Sequence, residues 1–148
     1  SQLFNSTVYD EIAFGPRQLG LTEEEVSQRV QDTLSLLKIE DLRDRVPYQL
    51  SGGEKKKVAF ASIMVTNPDV YILDEPFNNL SKEYEKFFRE LLHELHSAGK
   101  TIIMSAHHFK HLHHEKADVL LFEDGKADFF PAQEVLNNQQ VIERLSHY

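Results

Sequence analysis

Two carboxylates follow directly on an apolar run in the segment VYILDEP, Val70–Pro76. The run is bounded by turn residues and predicts a buried parallel strand. Asp74 and Glu75 would then project at the carboxyl edge of a sheet, where open α/β sheets bind their ligands. Asp74 suits Mg²⁺, which prefers carboxylate and water oxygens, and Glu75 could orient or deprotonate a water that attacks a phosphoryl group. A strand followed by a plain acidic turn is the alternative, although carboxylates are poorly suited to the end of a buried strand.

A second candidate site is LSGGEKKKVAFA, Leu50–Ala61, which begins with a serine and two glycines. Ser51 is a suitable first residue for a helix, and a helix N-terminus presents unpaired N–H groups with about half a positive charge. Gly52 and Gly53 would let an anion approach that backbone closely. The motif alone does not distinguish this site from a Ser-capped helix with a solvated basic turn.

A third group of polar residues ends the apolar segment 101–105, in TIIMSAHH. The imidazole of His107 would lie at the same sheet edge as the carboxylates and could bond a γ-phosphate, although a lone histidine is more often structural. The spacings His107/His111 and His111/His114 in HHFKHLHH also fit pairs of ligands for Zn²⁺ or Ni²⁺. The favoured interpretation of this histidine-rich segment is a solvated polar helix.

One further motif approaches a phosphate-binding loop and is rejected. GPRQLGLT, Gly15–Thr22, matches G-x-x-x-x-G-K-[ST] except that Leu21 stands where the lysine should reach the phosphates. Thr22 and Glu25 form a capping box instead. We therefore predict that Gly15–Gly20 is a turn that leads into a helix.

The elements that must position these residues follow from hydrophobic patterning. Helices are predicted at 22–37, at about 53–65, from Ser81 to Gly99, in the histidine-rich segment, and from Pro131 onward; strands are predicted at 70–73, 101–105 and 119–122, the last leading through a turn at Asp124–Gly125 into a hairpin. The first helix would bury Val26, Val30, Leu34 and Leu37 on one face. This alternation predicts an α/β fold in which helices cover a sheet.

Composition excludes several classes of protein. The 148 residues are 41% apolar and 27% charged, as in ordinary globular domains, and the net charge of −8 disfavours bulk attraction to nucleic acid or an anionic membrane. Without cysteine there is no disulfide framework and no thiolate site. The sequence contains no apolar run of about 18 residues, the length that a membrane-spanning helix needs. The first residues also lack the pattern of a signal peptide, so we predict a cytoplasmic protein.

The order LSGGE, VYILDEP, NNLS, SAHH closely resembles the C-terminal part of an ATP-binding-cassette (ABC) ATPase domain, from about Gln2 to Leu136. The resemblance implies a partial P-loop NTPase sheet with a helical signature subdomain, divided here into 1–68 and 69–148. QLFNSTVYDEIAFGP and LGLTEEEV further resemble the ATPases of cobalt-type and energy-coupling-factor importers, which take up vitamins or transition-metal ions. In that subgroup GPRQLGLT belongs to the helical subdomain.

The resemblance assigns a role to each candidate residue. Asp74 would hold Mg²⁺, Glu75 would be the catalytic glutamate, and His107 the switch histidine. The signature segment, which would contact ATP bound by a second subunit, comprises Ser51, Gly52, Gly53 and Glu54. The D-loop segment comprises Asn78, Asn79, Leu80 and Ser81.

Other features depart from the family pattern. No adenine-stacking aromatic residue, G-x-x-x-x-G-K-[ST] loop or Q-loop glutamine is recognised, so we expect a fragment that lacks the N-terminal phosphate-loop part and is close to inactive alone. Glu54 replaces the signature glutamine and would repel ATP phosphates unless it points away. Ser81 replaces the usual D-loop aspartate. Both changes predict a site of reduced activity, such as one half of an asymmetric pair.

The implied parent protein hydrolyses MgATP to energise membrane import. Its partners would be a second ATPase subunit, identical or different, and a transmembrane transporter subunit that holds it at the inner face of the plasma membrane; no nucleic-acid partner is expected. Two alternatives stay open: a noncatalytic interaction or regulatory module, and a soluble ABC ATPase of DNA repair or translation. The acidity and the short helical segment disfavour the second.

Overall fold

A computed structural model of the protein describes residues 6–109 and 116–148. The helices are α1 (Val8–Gln18), α2 (Glu23–Leu36), α3 (Gly52–Met64), α4 (Lys82–Ser97), α5 (Ala132–Asn137) and α6 (Gln139–Leu145). The strands are β1 (Val70–Asp74), β2 (Thr101–Ser105), β3 (Val119–Glu123) and β4 (Lys126–Phe130). Short 3₁₀ turns lie at Glu40–Leu42 and Pro47–Gln49. The predicted histidine-rich helix falls largely on residues outside the described part of the chain.

The chain divides into two compact units, one of Ser1–Leu73 and Asn78–Ile103, the other of Asp74–Phe77 and Met104–Tyr148. The boundaries of these units differ from the predicted division into 1–68 and 69–148. That division concerns subdomains of the family and stays a prediction. Among the described residues, no helix is both long enough and apolar enough to cross a membrane.

Helix starts in the first unit are fixed by side-chain caps. The predicted capping box of α2 is confirmed: the Thr22 hydroxyl accepts a hydrogen bond from the Glu25 N–H, and the Glu25 carboxylate accepts one from the Thr22 N–H. The predicted face of α2 is also confirmed, because its four apolar residues have no exposed surface: Val26, Val30, Leu34 and Leu37.

The predicted turn at Gly15–Gly20 is wrong over most of its length, because α1 continues through Gly15 and Pro16 to Gln18. Val8, Ile12 and Pro16 recur every four residues, and all three are buried. Burial of this face overrides the local turn signal of Gly-Pro. The glycine also permits close packing, since a Cβ at Gly15 would lie 2.6 Å from Cγ2 of Thr66.

The first sheet pairs β1 with β2. The Thr101 N–H donates to the Asp69 carbonyl at one end (2.9 Å), and the Glu75 N–H donates to the Ser105 carbonyl at the other (3.2 Å). Because starts pair with starts and ends with ends, the two strands run in the same direction, as predicted for an α/β sheet.

One face of β1 packs into the core of the first unit through Tyr71 and Leu73. The ring of Phe60 on α3 stacks on Tyr71 with centroids 5.7 Å apart and meets Phe88 of α4 edge-on at 4.7 Å. These rings pack α3 and α4 against Tyr71 of β1.

The second unit contains an antiparallel hairpin in which Val119 faces Phe130 and Glu123 faces Lys126. Asp124 and Gly125 both have positive φ angles, which confirms the predicted turn. One hairpin face packs on the last helices in a core of Phe109, Val119, Phe130, Val135, Val141 and Leu145. The single predicted last helix is instead two, because Asn138 interrupts it and its side chain caps α6.

Candidate functional site

The two predicted carboxylates are those of Asp74, the last residue of β1, and Glu75, which follows it. Both residues belong to the second compact unit. Glu75 has a left-handed backbone with φ of 47°, which is uncommon for a residue other than glycine. Its N–H donates to both the carbonyl and the hydroxyl oxygen of Ser105, each at 3.2 Å. The chain therefore turns sharply after Asp74 and holds the Glu75 backbone against the end of β2.

Ser105 also contacts the predicted metal ligand, because its hydroxyl donates a hydrogen bond to the Asp74 carboxylate. Ligating carboxylates are commonly oriented by such outer hydrogen bonds. Ser105 was not among the predicted site residues. The available signal was a serine at the carboxyl end of a strand paired with the acidic one, but a lone serine there is too common to be diagnostic.

The structure brings His107 next to Glu75, with Nε2 of the imidazole 3.3 Å from Oε1 of the carboxylate. The carboxylate side chain is only 15% exposed, whereas the imidazole is 83% exposed. A partly shielded carboxylate beside an accessible imidazole can accept a proton from water while the ring donates to an anion in solvent. The contact is an ion pair only when the imidazole is protonated.

The signature segment forms the first turn of α3 in the first unit. Ser51 caps the helix by accepting from the Glu54 N–H at 3.1 Å, and the Glu54 carboxylate accepts from the Ser51 N–H at 3.0 Å. The hydrogen bond from the Ser51 backbone holds the pKa of Glu54 below its usual range. The carboxylate is therefore engaged at its own helix cap.

The D-loop segment lies against that same turn. Asn79 has a left-handed backbone with φ of 64°, and its carbonyl oxygen is so close to Gly53 that a Cβ there would lie 2.6 Å away. Ser81 is the N-cap of α4 and accepts a hydrogen bond from the Tyr84 N–H at 3.1 Å. Ser81, which was expected to replace a D-loop aspartate, thus has a capping role within the chain.

The structure accordingly brings the predicted residues together in two groups, each within one compact unit. Asp74, Glu75 and His107 form one group, and the signature and D-loop segments form the other. No group of three or more His, Cys, Asp or Glu residues within 6–109 and 116–148 is arranged to hold a metal ion. The alternative histidine ligands His111 and His114 lie outside the described residues.

Parallel strands, carboxylates at the end of β1 and helices that pack on β1 are features of an α/β protein that binds its ligand at the carboxyl edge of the sheet. Comparison with known families identifies the family to which the chain belongs. The family model described as ABC transporter matches residues 1–78, more than half of the 148 residues, and the chain belongs to the ABC transporter family.

Its relatives include ATP-binding proteins of transporters. The nickel import ATP-binding protein LarO of Lactiplantibacillus plantarum is 54% identical over 109 residues, which are 74% of this chain and 45% of that protein. The energy-coupling factor transporter ATP-binding protein EcfA of Carboxydothermus hydrogenoformans is 34% identical over 143 residues, 97% of this chain and 53% of that protein.

A solved structure shows the same fold. CbiO1 from Clostridium perfringens, part of the ABC transporter complex CbiONQ, matches 97% of this chain with a TM-score of 0.75 and 32% identity. The match covers 58% of the CbiO1 chain. The chain spans about half the length of the curated relatives it matches.

Proposed function

We propose that the intact protein is the ATP-hydrolysing subunit of an ABC importer. The observation that carries this proposal is the contact between Glu75 and His107 at the end of β1, beside Asp74. A carboxylate and an imidazole in this arrangement suit the hydrolysis of a phosphoric anhydride, in which water must be oriented and the charge on the phosphoryl oxygens stabilised.

Each residue has a distinct part in this proposal. Glu75 orients the attacking water and accepts its proton, and His107 donates a hydrogen bond to the γ-phosphate. Asp74, oriented by Ser105, is an oxygen donor that fits Mg²⁺. When bound, that ion neutralises the charge that develops on the phosphate oxygens.

The signature segment is proposed to contact ATP held by a second subunit. Ser51 is the N-cap of α3, and the N–H groups of the first turn and the partial positive charge of the helix favour a phosphate there. The protein would therefore function as a pair of ATPase subunits. We further propose that the 148-residue chain alone is close to inactive, because it contains no G-x-x-x-x-G-K-[ST] sequence.

The named relatives are the support for the proposed cargo and location. The name of the nickel import ATP-binding protein LarO supports a transition-metal ion as the cargo. The resemblance to energy-coupling-factor importers supports a vitamin as the alternative cargo. We propose that a transmembrane subunit selects this cargo and holds the ATPase at the cytoplasmic face of the membrane.

Replacement of the proposed base tests this function. Glu75→Gln in the intact native protein should lower ATP turnover by about 10²- to 10⁴-fold, the usual range for loss of a positioned acid or base. Nucleotide binding should be retained, because the amide preserves the shape of the side chain. The matched control is Glu83→Gln, an exposed carboxylate in the first turn of α4, which should leave turnover unchanged. Undiminished turnover in Glu75→Gln would exclude Glu75 as the base.

A noncatalytic ABC module is the second candidate function. It is favoured by the two departures expected from the family pattern: Glu54 places a negative charge in the segment proposed to meet phosphate, and Ser81 is uncharged where an aspartate is expected. This candidate predicts that the intact wild-type protein, assembled with its partners, binds nucleotide without measurable turnover.

A further inference from the structure

The second glycine of the signature segment lies against the D-loop segment of the same chain. A Cβ at Gly53 would lie 2.6 Å from the carbonyl oxygen and 3.7 Å from the carbonyl carbon of Asn79. A Cβ at Gly52 would meet only the Asn79 side chain, at 3.9 Å or more, which is ordinary contact. Glycine is therefore required at position 53, and not at 52, for the two backbones to approach this closely.

The carbonyl of Asn79 has little freedom to move away. Asn79 occupies the left-handed region with φ of 64°, and two residues later Ser81 is fixed as the N-cap of α4. The obstacle that a larger residue at 53 would meet is thus backbone, held between a left-handed residue and a capped helix.

A second contact joins α3, one turn after Gly53, to the first turn of α4. On α4, the ring of Tyr84 lies beneath the Lys57 ammonium of α3, with Nζ 3.9 Å from the ring centroid. The Tyr84 hydroxyl donates to the Leu37 carbonyl at 2.8 Å, and burial raises the pKa of Tyr84 to about 12, so the phenol keeps its proton. Tyr84 therefore fixes the start of α4 against the end of α2 as well as α3.

We infer that the backbone contact between Gly53 and Asn79, supported by Tyr84, couples the D-loop segment to the signature segment of the same chain, so that the two segments shift together. Gly53 then has an internal positioning role in addition to any contact with nucleotide. Tyr84, which has no part in the proposed phosphate contacts, is a positioning residue for both segments. This inference rests on the proposed function only where nucleotide turnover is concerned.

Amide hydrogen exchange of the intact, nucleotide-free protein tests the coupling directly. In Gly53→Ala, amides of residues 78–84 should exchange at least about tenfold faster than in wild type, because the added methyl group displaces the Asn79 carbonyl. Gly52→Ala is the matched control: it adds the same methyl group to the same helix turn and should stay within about twofold of wild type. Equal exchange of residues 78–84 in the two variants would overturn the inference, and melting temperatures exclude global unfolding as the cause.

A kinetic comparison tests the positioning role of Tyr84. Tyr84→Leu removes the ring beneath Lys57, and we expect kcat for ATP to fall about 10- to 100-fold while KM changes by less than about threefold. Tyr84→Phe keeps the ring beneath Lys57, which joins α4 to α3, and loses only the bond to Leu37 of α2, so its kcat should stay within about twofold of wild type. A kcat for Tyr84→Leu equal to that of Tyr84→Phe would overturn the positioning role. If the wild-type protein hydrolyses no ATP, the proposed function fails, and the exchange experiment alone decides the coupling.

Discussion

At the scale of single residues, the role of Glu54 expected from the sequence differs from the role observed in the structure. As a sequence feature it is a negative charge in a segment expected to meet phosphate, which predicts repulsion. In the fold its carboxylate accepts from the Ser51 N–H and completes a capping box. Glutamate and glutamine both satisfy a capping box. The substitution therefore preserves the local structure of the signature segment.

The hydrogen bonds of Glu54 predict a pH-dependent contribution to stability. The pKa of Glu54 is lowered in the folded state, chiefly by the bond from the Ser51 backbone. The folded state therefore binds the proton less tightly than the unfolded chain. The stabilisation is fully present above the unfolded pKa and is lost as the pH falls through the folded one. In Glu54→Gln, which cannot titrate at this position, that component should be absent.

Thermal melting of wild type and Glu54→Gln from about pH 6 to about pH 3 measures this difference. The advantage of wild type over Glu54→Gln should shrink as the pH falls. Glu54→Ala, which keeps the Ser51 cap but removes the reciprocal bond from the Ser51 N–H to the carboxylate, should melt below wild type even at about pH 6. A constant difference between wild type and Glu54→Gln over the whole range would show that the cap bond does not stabilise the ionised carboxylate.

At the scale of elements, the central prediction concerns the aromatic cluster that holds α3 and α4 on β1. Phe60 is buried between Tyr71 and Phe88. Phe60→Ala should lower the free energy of unfolding by about 3 to 5 kcal/mol, because it removes a large buried ring and leaves a cavity. Urea denaturation of the intact protein measures the change. Ile63→Ala, on the same helix but 37% exposed, is the control and should cost much less. A loss below about 1 kcal/mol at position 60 would contradict this packing.

The elements also show what local sequence can predict. Helix α2, β2 and the hairpin turn agree with prediction because periodicity, caps and turn residues at Thr22, Thr101–Ser105 and Asp124–Gly125 all favour one structure. Helix α1 was missed because Gly15 and Pro16 give a strong local turn signal, while the burial that overrides it depends on packing against distant residues. The interruption at Asn138 was missed because its capping bonds to α6 are not visible as periodicity.

The candidate site likewise contains residues that could be predicted from the sequence and contacts that could not. Asp74, Glu75 and His107 were predictable because each lies at or just beyond the end of an apolar strand. Ser105 was not singled out, although it contacts both carboxylate residues through its side chain or backbone. The approach of Asn79 to Gly53 was also not predictable, because it depends on the left-handed backbone at Asn79 and on how α4 packs beside α3. Residue types at strand ends are thus visible in sequence, whereas backbone contacts between segments are not.

At the scale of the whole molecule, each compact unit exposes an apolar sheet face. On the first sheet Ile72 is 73% exposed, and Val70 and Ile103 are also exposed. On the hairpin the exposed residues are Leu120, Phe122 and Phe129. Alternate strand residues share a face, and Leu120 pairs with Phe129, so the three hairpin residues form one patch. Patches of this kind on sheets with unpaired edges favour association.

We therefore expect the 148-residue chain to self-associate at concentrations of about 10 to 100 µM, a range in which exposed apolar surface and strand edges promote association. The double variant Ile72→Thr/Phe122→Thr should shift sedimentation velocity profiles towards the monomer, because it replaces two exposed apolar side chains with polar ones. Threonine favours strands, so both sheets should be retained. Tyr48→Ser is the control: this aromatic side chain is 68% exposed but lies outside both sheets, so its loss should not change the profile. A wild-type chain that sediments as a monomer throughout this range would show that the two faces do not drive association. A shift equally large in Tyr48→Ser would assign the association to a surface other than the sheets.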